Sequence, residues 1–165
     1  MSTNATEYAT EWVRGRLATP PAIYGLIVYE ALIATTSDHA DSTLEVLLVA
    51  ATSLVVFYLA HVFAEAVASH GADRLRTAVG RAFRYSAGML YAAILPTLVL
   101  IVCIFAAVGA NDASNYAMLA GTLVLGVLGF LSFRQRRAKV WLCVLGGLAT
   151  ALLGLFIMVL DYSVH

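Results

Sequence analysis

Three ionisable side chains lie inside stretches of sequence that are otherwise apolar. Glu30 lies in the stretch 20–36, and His61 and Glu65 lie in the stretch 44–68. An ionisable group at the centre of a bilayer costs about 2.5–3.5 kcal/mol on insertion scales, so it needs a partner or water. Carboxyl and imidazole groups in such surroundings exchange protons near neutral pH or bind cations. These residues are therefore the first candidates for chemistry.

Tyr58, His61 and Glu65 fall on one side of a helix. Steps of 100° per residue place the three side chains within about 60° of one another, as a polar stripe on an apolar helix. A rise of about 1.5 Å per residue puts Glu30 and His61 within about 7 Å in membrane depth. The pattern predicts a proton or cation site formed by Glu30, His61, Glu65 and Tyr58.

The same residues also have a purely structural interpretation. Glu65 then lies at headgroup level and hydrogen-bonds His61, while Glu30 bonds Tyr58 or a backbone carbonyl. A metal site is the weaker chemical alternative, because zinc usually takes three or four protein ligands and only Glu30 could join the other two. A haem with two histidine ligands would need a second histidine within the spans, and the sequence has none. We predict no cofactor.

Catalytic motifs and a nucleic-acid partner are both disfavoured. The sequence lacks a GxSxG elbow, an HExxH motif and a phosphate-binding loop. Its formal net charge is +0, whereas proteins that bind nucleic acids carry a basic surface. We predict that the protein is not an enzyme.

The elements that position these residues must be membrane helices. Hydrophobic residues make up 61% of the chain, charged residues make up 12%, and the mean hydropathy is +0.86. A helix needs roughly 20 apolar residues to cross a bilayer. The candidate spans are 20–36, 44–68, 86–110, 116–133 and 140–160. We predict an all-α fold, a polytopic transmembrane bundle of five helices in one domain at 20–165. A cytoplasmic amphipathic segment at 1–19 precedes it.

Basic residues occur only in alternate connections between the predicted spans. They are Arg14, Arg16, Arg74, Arg76, Arg81, Arg84, Arg134, Arg136, Arg137 and Lys139. The other connections and the C-terminal end carry Asp38, Asp41, Glu45, Asp112 and Asp161. Because basic residues accumulate on the cytoplasmic side, the N-terminus is predicted inside and the C-terminus outside. This orientation also supports the first span, and it places the protein in the cytoplasmic membrane.

Small residues mark the fourth and fifth predicted spans. They are Gly121, Gly126, Gly129, Gly147, Ala151 and Gly154. Small residues let helix backbones approach closely, either within one chain or between copies. In the third span, Pro96 predicts a kink because proline removes a backbone N–H and frees a carbonyl.

Three short segments resemble those of small integral membrane proteins common in actinobacteria. They are Thr-Pro-Pro-Ala-Ile-Tyr at 19–24, Phe-Tyr-Leu-Ala-His at 57–61 and Ser-Ala-Gly-Met-Leu at 86–90. The preference for arginine over lysine fits a GC-rich genome of that kind. The resemblance covers most of the chain, but it brings no activity and no catalytic residue with it.

Two functions from different classes are compatible with these features. The first is a small transporter or channel that moves protons or a cation past Glu30, His61 and Glu65. The second is a non-catalytic accessory or assembly subunit of a membrane complex, docked through its glycine-rich spans. The expected partners are the lipid bilayer and either further copies of the chain or a larger membrane complex.

Overall fold

The computed structural model describes residues 19–68, 75–136 and 138–164. These residues form five α-helices and no strand, which confirms the predicted all-α class. The helices are α1 Pro20–Ser37, α2 Thr43–Ala68, α3 Leu75–Phe105, α4 Ala110–Gln135 and α5 Val140–Val164. The predicted segment at 1–19 lies outside the described residues except for Thr19. Four of the basic residues also lie outside the described residues, namely Arg14, Arg16, Arg74 and Arg137.

Four of the five helices are long and apolar enough to cross a membrane. They are α2 over Thr43–Ala68, α3 over Arg76–Phe105, α4 over Ala110–Gln135 and α5 over Val140–Leu160. Large apolar side chains cover the outer faces of these helices, among them Phe63, Val102, Leu123 and Phe156. Lipid can cover surfaces of this kind, which indicates a multi-pass membrane protein.

Helix α1 is not among those four, and it occupies a different place in the bundle. It packs against each of the other four helices. Leu26, Tyr29, Glu30 and Ile33 are all completely buried along it. Because protein rather than lipid covers α1, this helix can carry a polar residue that a lipid-facing helix could not. Its crossing of the membrane stays a prediction.

Helix α3 has different bounds from the span predicted at 86–110, since it begins at Leu75 and ends at Phe105. Its first turns are amphipathic: Arg76, Arg81 and Arg84 are exposed, whereas Ala78, Ala82 and Ser86 are buried. The arginines therefore continue the helix along the bundle surface instead of ending it. Long basic side chains at a membrane boundary reach toward water while their stems cover apolar surface.

The C-terminal end of α3 is closed by backbone hydrogen bonds. Ala107 has a φ of 54°, the left-handed conformation that usually requires glycine. The N–H of Val108 donates to the carbonyl of Cys103 at 3.0 Å, and that of Ala107 donates to the carbonyl of Ile104 at 3.1 Å. This is the Schellman arrangement. It turns the chain toward α4 five residues before the predicted end, which is about 1.4 helical turns.

The charged side chains divide between the two ends of the bundle. The Thr43 hydroxyl donates to the carbonyl of Val108 at 2.7 Å, so the α1–α2 and α3–α4 connections meet at one end. That end carries the exposed acidic residues Asp38, Asp41, Glu45 and Asp112. The exposed basic residues of the described chain belong to the opposite half, and they are Arg76, Arg81, Arg84, Arg134, Arg136 and Lys139.

Candidate functional site

The carboxyl group of Glu30 lies where α1 meets α4 and α5. Its side chain is completely buried. A methyl group added at Gly121 of α4 would collide with Oε1 of Glu30, and one added at Gly154 of α5 would lie 3.1 Å from Oε2. The two glycines therefore border the carboxyl group from two different helices, and any larger side chain at either position would enter its space.

Neither oxygen of Glu30 has a hydrogen-bond partner among the described residues. The Thr122 hydroxyl of α4 is also buried and unpaired within that part of the chain. A methyl group added at Gly154 would lie 2.5 Å from Oγ1 of Thr122 and would also approach Oε2 of Glu30. The hydroxyl group and the carboxyl group thus border the same glycine. A buried ionised carboxylate needs a counter-charge or hydrogen-bond donors. A proton or a cation bound to the carboxyl group would neutralise that charge.

A further buried hydroxyl lies on α4 nearer the acidic end. Ser114 has no hydrogen-bond partner among the described residues. It precedes Gly121 by seven residues, which puts the two within about 20° of one another around the helix axis. Ser114 and Thr122 were absent from the predicted site. A hydroxyl group inside an apolar span is the signal that would have identified Thr122, whereas Ser114 precedes the span predicted at 116–133 and gives no such signal.

The polar stripe of α2 makes its contacts elsewhere. The His61 ring stacks on that of Tyr24, with ring centroids 6.3 Å apart and planes inclined by 28°. The Tyr58 hydroxyl donates to the carbonyl of Phe83 at 3.3 Å, and the two rings meet edge to face. Glu65 is half-buried one turn further along α2. Two members of the stripe thus attach α2 to its neighbours α1 and α3.

Glu30 and Tyr24, the residue on which His61 stacks, occupy different levels and faces of α1. Six residues separate them, which corresponds to about 9 Å along the axis and about 120° around it. His61 lies with Tyr24, whereas the carboxyl group of Glu30 lies with Gly121 and Gly154. A direct relay from His61 to Glu30 stays a prediction.

The remaining small residues lie between α4 and α5. A methyl group at Gly126 would lie 3.5 Å from Cβ of Ala151, and one at Gly147 would lie 2.8 Å from the carbonyl oxygen of Gly126. Gly129 lies directly against Thr150, whose hydroxyl donates across the interface to the carbonyl of Leu125 at 2.8 Å. The small residues thus bring these two backbones together within one chain.

Pro96 is buried within α3, and the helix continues through it. The next residue, Thr97, shares a hydrogen bond of 2.8 Å with the hydroxyl of Tyr29, which precedes Glu30 in the chain. This bond joins α1 to α3 one residue before Glu30. The kink at Pro96 stays a prediction.

No group of three or more His, Cys, Asp or Glu side chains that could hold a metal ion occurs in the ranges that the structure describes. The carboxyl group of Glu30 is bordered by Gly121, Gly154 and the hydroxyl group of Thr122.

No protein-family model matches the chain, and no curated protein or solved structure is similar enough to match it.

Proposed function

We propose that the protein crosses the cytoplasmic membrane five times and moves a proton or a cation past Glu30. The observation that carries this proposal is the carboxyl group itself, which is completely buried at the contact of three helices and has no hydrogen-bond partner in the described chain. Ionisable residues at membrane depth are rare, and by default they mark ion pathways.

The distribution of charge supports the proposed topology. The described cationic side chains belong to one half of the bundle and the acidic loops to the other, which is the pattern that the positive-inside rule describes. The packing of α1 against all four apolar helices supports a crossing by α1 as well. Five crossings then place the N-terminus inside and the C-terminus outside.

Transport through this site requires the carboxyl group to gain access to each side of the membrane in turn. Glu30 is closed off by Gly121 and Gly154, so α1 must shift relative to α4 and α5 to open it. Ser114 lies toward the acidic end and the Tyr24–His61 pair toward the basic end, so each half of the path has a polar group.

The alternative is an accessory or assembly subunit in which Glu30 only holds the helices together. The close contact of its carboxyl group with two glycines favours a packing role of this kind. Gly147 and Gly154 lie inside the chain, against Gly126 and Thr122 respectively. A partner protein would therefore have to bind a surface other than these glycines.

Flux measurements with purified protein in liposomes separate the two functions. An internal pH dye and a panel of monovalent and divalent cations report transport by the wild type and by Glu30→Gln, which removes the ionisable group and keeps the shape. The matched control is Glu45→Gln, which changes an exposed acid in the first turn of α2. We expect flux in the wild type and the control but none in Glu30→Gln.

The His61→Gln variant tests how far the path extends. A loss of flux in this variant would support the predicted relay through α2, whereas unchanged flux would restrict the site to α1, α4 and α5. Wild-type protein with no flux above that of empty liposomes would contradict transport and favour the accessory role.

A further inference from the structure

A cavity of about 500 Å³ opens at the basic end of the bundle, between the start of α1 and the end of α4. Its apolar lining consists of Pro20, Ile23 and Ile27 of α1 and Phe133 of α4, and its polar lining consists of Tyr24, Ser132, Gln135 and Arg136. Its volume falls within the range of about 300–1,000 Å³ that is typical of sites for small ligands. Its lining does not include Glu30, Gly121 or Gly154, although it shares Tyr24 with the Tyr24–His61 pair.

The walls of the cavity are suited to a hydrocarbon chain. The α1 side chains that line it extend from Pro20 to Ile27, which is about 10 Å along the helix from the membrane surface inwards. Phe133 forms part of the opposite wall. An aliphatic chain lying in this groove would bury apolar surface on both sides.

The rim of the cavity carries a positive charge. Arg136 lines the cavity and is exposed to solvent. Helix α4 ends at the same rim with Gln135, and the carbonyl groups of its last turn carry partial negative charge. The guanidinium group must therefore supply the attraction for any anion that binds there, and guanidinium matches a phosphate group in both charge and shape.

We infer that this cavity binds one anionic phospholipid, with an acyl chain between α1 and α4 and its phosphate on Arg136. Basic pockets between membrane helices on the cytoplasmic side hold anionic headgroups in this way. The charge of the rim, the apolar depth of the groove and its place at the basic end of the bundle all favour this ligand. The inference depends on insertion in a bilayer and not on transport through Glu30.

Native mass spectrometry of the full-length protein, released from nanodiscs of equal phosphatidylglycerol and phosphatidylcholine, tests the site. We expect the wild type to retain one phosphatidylglycerol with at least a tenfold preference over phosphatidylcholine. Arg136→Gln should lose this preference and retain the two lipids in equal amounts, as they occur in the nanodisc. The matched control is Lys139→Gln, which removes an exposed positive charge at the same end but does not line the cavity; it should keep the preference.

A second variant tests the apolar part of the site. Ile27→Trp fills the inner end of the groove, so we expect it to release the retained lipid of either kind. Ile23→Phe gives the same test if the tryptophan variant does not fold. Thermal unfolding of each variant distinguishes loss of the site from loss of the fold.

Three results would overturn the inference. The first is equal retention of the two lipids by the wild type, and the second is an equal loss of preference in Arg136→Gln and Lys139→Gln. The third is retention of lipid by a variant that lacks residues 1–18 but not by the full-length protein. Residues 1–18 would then be the occupant of the groove in the full-length protein.

Discussion

The carboxyl group of Glu30 in α1 lies directly against Gly121 of α4, with no space for even a methyl group between them. Glycine at position 121 is thus what allows a glutamate to be buried at position 30. Gly154 of α5 borders the same carboxyl group, so three helices share one contact. Changes at these glycines should act on the bundle and on the site together.

Gly121→Ala should lower the free energy of unfolding by about 1–3 kcal/mol, because the added methyl group overpacks the space around Glu30. Gly80→Ala is the matched control, since a methyl group there would meet nothing within 4 Å. In that exposed helical position alanine should raise stability by about 0.5–1 kcal/mol. Denaturation of both variants in mixed detergent micelles, followed by circular dichroism, measures the two effects.

A double-mutant cycle assigns the destabilisation to Glu30. Shortening the side chain in Glu30→Ala removes the atoms that crowd position 121, so Gly121→Ala should cost less in that background. A coupling energy of about 0.5–3 kcal/mol is typical of side chains in contact. An equal effect of Gly121→Ala in both backgrounds would contradict the contact.

Thr150→Val should lower stability by about 0.6 kcal/mol and by no more than about 1.7, the range for hydrogen bonds between membrane helices. The change removes the hydroxyl that bonds the carbonyl of Leu125 across the α4–α5 interface and keeps the branched shape. Thr35→Val is the control, since that exposed hydroxyl bonds only carbonyls of its own helix. Similar losses in the two variants, measured by the same denaturation, would argue against a stabilising role for the interhelical bond.

Ala107→Gly should stabilise the protein by about 1 kcal/mol. The residue has a φ of 54°, where the Cβ of alanine is strained and glycine is not. Its neighbour Ala106 serves as the control, because it has no positive φ. Ala106→Gly should therefore only add flexibility to the unfolded chain and lower stability. Melting temperatures of the two variants should shift in opposite directions, and a downward shift in both would contradict strain at Ala107.

Cysteine labelling tests the proposed topology in a background that carries Cys103→Ala and Cys143→Ala. We expect His39→Cys to react with a membrane-impermeant maleimide in intact cells. Ser2→Cys and Lys139→Cys should react only after the membrane is opened, because α1 separates the N-terminus from residue 39. Reaction of Ser2→Cys and His39→Cys from the same side would show that α1 does not cross.

Much of the architecture depends only on local composition, and that part could be predicted. A run of about 20 apolar residues between clusters of charged residues forms a helix of membrane length. This does not depend on which other helices it packs against. Four of the five predicted helices have this length and composition, and the alternation of basic and acidic connections follows from the order of the chain. Glu30 could be selected in the same way, because an ionisable group in an apolar run is costly in any arrangement.

The bounds of α3 show where local composition is insufficient. The charges at Arg76, Arg81 and Arg84 predict the end of a membrane segment, but all three project from a helix whose opposite side is buried. The burial of Ala78 and Ala82 depends on packing against other helices, which is not encoded in the charges themselves. Hydropathy marks the apolar part of a helix and not its full length.

The surroundings of Glu30 were decided by the tertiary structure alone. Lipid is as apolar as a protein core, so the pattern of hydrophobic residues does not distinguish the face of a helix that meets lipid from the face that meets another helix. The sequence determined that Glu30, His61 and Glu65 lie within apolar helices. The rotation of α1 within the bundle decided that the carboxyl group of Glu30 meets Gly121 and Gly154, while Tyr24 meets His61. That rotation results from contacts of α1 with all four other helices at once, and such contacts join residues far apart in the chain.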